Sequence, residues 1–133
     1  MRLWHQSLIP KLPRQQLLGQ HRECCALRGK GWGRKHATVN YVFEYNPARL
    51  VAYHYLIMNE MEKRGYHPNK IWYEIDYRGS ALGDETFWCN QATMLGFLDG
   101  AENHNYIIYP EHNDLYLKEC IENLKQKGVE INL

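Results

Sequence analysis

The sequence predicts a mostly α, single compact domain. Three stretches carry apolar residues at helical spacing between recognisable start and stop signals, and no segment alternates cleanly as a half-buried strand does. A chain of 133 residues is long enough for one core but short for two, so one domain over 1–133 is expected. A hydrophobic fraction of 44%, with ten Tyr and four Trp, argues for a folded chain rather than a disordered one. No run approaches the ~18 apolar residues of a membrane span, and MRLWHQSLIPK lacks a signal-peptide core. A cytoplasmic protein with no membrane partner is expected.

About three main helices with irregular connections follow from the pattern. Pro10 and Pro13 precede RQQLLGQHRECCALRG, a helix with Pro13 in its first turn and Gly29 as its stop. Leu17, Leu18, His21, Cys24, Cys25 and Arg28 share its core-facing side. GKGWGRKHATVN reads as a loop. Asn46 and Pro47 then start ARLVAYHYLIMNEMEKR, whose apolar stripe of Leu50, Tyr53, His54, Ile57, Met58 and Met61 runs to Gly65. IWYEIDYRGSALGDE fits a short strand or an irregular segment, TFWCNQATMLGFLDG a weaker helix, and NYIIYP an extended piece. Asp114 caps LYLKECIENLKQK, with Leu117, Cys120, Ile121 and Leu124 on one face and Lys125 and Lys127 in its last turn.

The net charge of +1 hides a division: residues 1–70 carry 12 Lys/Arg against 4 Asp/Glu, and residues 71–133 carry 4 against 11. The basic half suits a polyanion. Within it Glu23 is the only acid before Glu44, surrounded by Arg14, Arg22, Arg28, Lys30, Arg34 and Lys35. Gln16, Gly19 and Ala26 share its helix face, and a mid-helix glycine, which costs about 1 kcal/mol relative to alanine, suits a surface approached closely. The face could floor a pocket, with Glu23 ionised and able to stabilise a developing cation or move a proton. An ion pair with a basic neighbour is the structural alternative.

These residues resemble the pyrimidine-dimer DNA glycosylases with abasic-site lyase activity, of the phage endonuclease V type. The likeness runs ungapped from Met1 through Arg22-Glu23, with Leu8, Leu12, Gln15 and Leu17 in register. It continues through Arg34 to His36, Glu62 to Tyr66 and Tyr77 to Gly79, covering roughly residues 1–80. The resemblance implies an extended N-terminus threading between helices toward a catalytic glutamate, here Glu23. It implies an N-terminal amine, here that of Met1, that attacks C1′ of the damaged nucleotide to form an imine, followed by β-elimination. An α-amine suits this role because its reference pKa of about 7.7–8.0 leaves far more free base at neutrality than a lysine near 10.4. Double-stranded DNA with a damaged base or abasic site is the implied partner. Arg2, Arg22, Arg28, Lys30, Arg34, Lys35 and His36 are the implied DNA contacts. No metal or cofactor is needed, and a monomer is expected.

The chain departs from the phage type in three ways. Arg2 is large, so Met1 is expected to be retained; Ala26 stands where that type has an arginine; and the end VEINL lacks its aromatic tail. Phe87, Trp88, Tyr106 and Tyr109, in apparent extra sequence, read as core rather than as a substitute stacking platform. A non-catalytic nucleic-acid-binding protein is the main rival function. A zinc site built from His21, Cys24 and Cys25 with Cys89, Cys120 or His112 is a weaker one, because no second ligand pair has metal-site spacing. The four cysteines are expected to stay reduced.

Overall fold

The computed structural model describes residues 2–35 and 38–132, so the readings on Met1 and His36 lie outside the described residues. Four α-helices carry the fold: α1 (Arg14–Arg28), α2 (Pro47–Lys63), α3 (Gln91–Asn103) and α4 (Asp114–Gln126). Short 3₁₀ turns at Gln6–Lys11, Asn40–Glu44 and Lys70–Tyr73 join them. The fold is mostly α. Among the described residues the only β pairing is an isolated bridge between Tyr77 and Asp84.

The central element is α2. Asn46 caps it by accepting the Ala48 N–H, Pro47 enters at its first turn, and Tyr53, His54, Ile57, Met58 and Met61 are buried along it. Its helix meets α1, α3 and the first 3₁₀ turn. Helix α1 buries Leu17, Gln20, Cys24, Leu27 and Arg28. Its end is tight: a methyl at Gly29 would lie 2.9 Å from the Arg78 carbonyl oxygen, and one at Gly31 would lie 2.7 Å from that of Ala26. Only glycine allows both approaches.

Three expectations are corrected in detail. The weaker helix starts at Gln91 rather than Thr86, because Asn90 caps it through the Thr93 N–H and Phe87 is left-handed at φ 65°. The cap of α4 is Asn113, accepting from Tyr116 N–H, and Asp114 falls in the first turn. The aromatics of the extra segment divide: Tyr109 is core, Trp88 half-buried, Tyr106 43% exposed and Phe87 92% exposed. No helix among the described residues is long and apolar enough to cross a membrane.

Candidate active site

The N-terminal segment is fastened almost residue by residue. Gln20, buried on α1, donates from Nε2 to the Arg2 carbonyl (2.9 Å) and accepts the Trp4 N–H at Oε1 (2.6 Å). The buried Tyr53 hydroxyl lies 2.7 Å from the Trp4 carbonyl and 2.8 Å from Gln20 Oε1. The Tyr116 hydroxyl donates to the Leu3 carbonyl, and the Gln6 N–H to His112 Nδ1 (3.1 Å). Two backbone groups, the Trp4 N–H and Arg2 C=O, are thereby satisfied by one glutamine side chain, which holds the irregular N-terminal segment in place.

Arg2 and Trp4 of this segment line a cleft of about 370 Å³. Helix α1 provides Gln15, Gln16, Gly19, Gln20, Arg22 and Glu23; α4 provides Asn123, and its C-cap Lys127 joins them. The face of Gln16, Gly19 and Glu23 does line a cleft, whereas Ala26 is exposed and is not part of its lining. A methyl placed on Gly19 would meet Arg22 Nη2 at 3.7 Å, an ordinary contact, so an added side-chain carbon fits there. Glu23 is half-buried.

The basic residues separate into two groups. Arg22, Lys30, Arg34 and Lys35 are exposed, and Arg2 is half-buried beside the cleft, 3.8 Å from Glu119 and near the rings of Trp4 and Tyr116. Arg28 is corrected: it is 0% exposed. Its Nη1 donates to the Trp72 carbonyl (2.8 Å) and to His54 Nδ1 (3.0 Å), and its Nη2 to the carbonyls of Glu74 (2.8 Å) and Tyr77 (3.0 Å). Trp72 lies in the Lys70–Tyr73 3₁₀ turn and the Glu74 carbonyl also accepts the Tyr77 N–H (3.0 Å), so the guanidinium fork gathers three carbonyls of one irregular segment. Arg28 is out of reach of a phosphate. Lys11 donates to the Asn132 carbonyl at 2.6 Å. The lysine that borders the cleft is Lys127, to which the sequence attached no role beyond its helix end.

The zinc alternative is tested by the same arginine. His21 and Cys25 gather with His54, not with Cys24, Cys89, Cys120 or His112. An Arg28 N–H can only donate, so His54 Nδ1 is an acceptor and its proton sits on Nε2, directed at His21 Nδ1 2.8 Å away. A metal on His54 Nε2 would move that proton to Nδ1, against a guanidinium donor. Burial also pushes the Cys25 thiol up to about 12. Without a metal the three side chains form a hydrogen-bonded chain.

Helix α1 thus sets a carboxylate in a cleft beside Arg2 and Trp4, with Arg22 and Lys127 on the same lining. The sequence model of the pyrimidine dimer DNA glycosylases matches residues 1–74, more than half of the 133 residues. The chain belongs to this family. No curated protein and no solved structure matches it. The match includes Glu23, Arg2 and Gln20, and ends before α3 and α4, so Asn123 and Lys127 are contributions from outside the matched region.

Proposed function

We propose that the protein is a DNA repair glycosylase with abasic-site lyase activity, excising damaged pyrimidines such as dimers. The observation that carries this reading is the shared cleft: Gln20 ties the backbone of Arg2 and Trp4 to the same helix face that presents Glu23. Covalent connectivity then keeps the amine of Met1 one residue from Arg2. The free amine adds to C1′ as the glycosidic bond breaks, and the base leaves with the bonding pair and is protonated. The carboxylate of Glu23 offsets the positive charge developing at C1′. With the sugar ring open and the iminium formed, removal of a C2′ proton, for which Glu23 is the nearby base, expels the 3′ phosphate. Arg22, Lys30, Arg34 and Lys35 hold the duplex backbone, and an extruded nucleotide enters between α1 and α4.

Borohydride reduction on abasic-site duplex tests the mechanism, because only an imine becomes a permanent protein–DNA bond. Untagged protein is expected to be trapped, and Glu23→Gln to bind the duplex but lose excision by about 10²-fold or more. Blocking the α-amine should abolish the adduct. An undiminished adduct on the blocked protein would move the nucleophile to a lysine, with Lys127 the one in place.

A further inference from the structure

We infer that Phe87 is a wedge that enters the base stack of duplex DNA; this rests on the reading of damaged duplex as the substrate. At 92% exposure it is the most exposed large apolar side chain among the described residues, and it stands on a left-handed backbone, φ 65°, that a bulky residue adopts at a cost. The turn is not slack. One carboxylate, that of Asp76, accepts the N–H of Phe87 at Oδ2 (3.3 Å) and of Cys89 at Oδ1 (3.2 Å), and the Glu85 carbonyl accepts the Trp88 N–H (3.0 Å). An apolar ring is thus aimed into water by a braced backbone, the reverse of what burial favours.

The turn is fixed to the catalytic helix. Arg78 donates from Nε to the Arg28 carbonyl (2.8 Å) and from Nη2 to that of Gly29 (3.3 Å), while its guanidinium lies 4.6 Å above the Trp88 ring. Trp88 in turn meets Trp32 edge-on at 5.5 Å. Gly29 lies about 9 Å along the axis from Glu23 at ~1.5 Å per residue. Trp32 sits in the loop that carries the exposed Lys30, Arg34 and Lys35. Of the acids in the turn, Glu85 is paired with Arg78 at 3.0 Å and Asp84 is exposed. Cations that hold phosphates beside one protruding apolar ring suit a kinked duplex, in which phosphate contacts set the register and an inserted side chain unstacks a base step.

Phe87→Gly is the informative variant, since glycine takes the left-handed backbone without strain. Its melting temperature should be no lower than that of wild type. Its borohydride trapping on abasic single strands should be unchanged, whereas trapping on the duplex should fall about tenfold or more, single strands having no stack to open. A duplex carrying a non-cleavable abasic analogue and 2-aminopurine should brighten when wild type binds and not when Phe87→Gly binds; Phe87→Trp should restore the signal. Equal duplex and single-strand trapping by wild type and Phe87→Gly, or equal 2-aminopurine signals, would overturn the wedge. So would duplex binding unaffected by Phe87→Gly together with its loss of self-association or of a protein partner. Failure of wild type to trap even single strands would instead count against the lyase chemistry, while the fluorescence experiment still decides the wedge.

Discussion

Acidification from pH 6.5 to 4.5 should destabilise this protein through its histidines, before most carboxylates titrate. His54 and His112 are 0% and 3% exposed, and each ring accepts an N–H at Nδ1, from Arg28 and from Gln6 respectively. His112 then donates from Nε2 to the Tyr41 hydroxyl (2.8 Å), and His54 to His21. Protonating either ring sets donor against donor in a buried site. Burial accordingly holds His112 at about 3 and His54 well below its ordinary value, with Arg28 lowering the latter further. Unfolded, both bind a proton below about pH 6.5; folded, neither does, so stability is full above 6.5 and is lost as pH falls toward the folded values. His112 alone gives a slope approaching about 1.4 kcal/mol per pH unit, or roughly 1.4 kcal/mol lost by pH 5.5 and roughly 2.7 by pH 4.5, and His54 adds to the loss in the same direction. That is a substantial fraction of the stability of a small domain, about 5–15 kcal/mol. Urea titrations at pH 7.0, 6.0, 5.5 and 4.5 measure it. His112→Asn keeps an acceptor for the Gln6 N–H without a titrating ring and should lower the slope. Stability that is flat from pH 6.5 to 5.5 would refute the assignment of both rings as buried neutral acceptors.

Gly19→Ala should raise stability by up to about 1 kcal/mol, since the added methyl has space and helix propensity improves, yet excision should fall if a nucleotide approaches that face. Denaturation and single-turnover kinetics on one preparation would test the pair of effects, and unchanged kinetics would show that the face is not approached. Arg28→Leu leaves three carbonyls and His54 without their donor and should destabilise by about 3–5 kcal/mol. The same change should leave the salt dependence of DNA binding as it was, and a shallower log–log slope would restore Arg28 as a phosphate contact.

Much of the site was legible because its signals are short-range. The periodicity that places Gln16, Gly19 and Glu23 on one face depends on residues a turn apart, and the Asn46-Pro47 start of α2 is a local hydrogen bond. Gln20 carried a weaker signal: it lies one turn before Glu23, but nothing local says that its amide will bond to residues 2 and 4. Lys127 and Phe87 carried none, since a helix-end lysine and a loop aromatic read alike wherever the chain folds back.

The sequence by itself determined a helical chain with basic and acidic halves, a carboxylate on a glycine-bearing face, and membership of a glycosylase family over residues 1–74. Only the tertiary structure decided which charges meet solvent. Arg28 and Lys30 stand two positions apart in one basic run, but the run does not show that three carbonyls from residues 72–77 arrive at the first and none at the second. Burial of a charge depends on partners brought from 44 to 49 residues away, and a linear pattern holds no record of them.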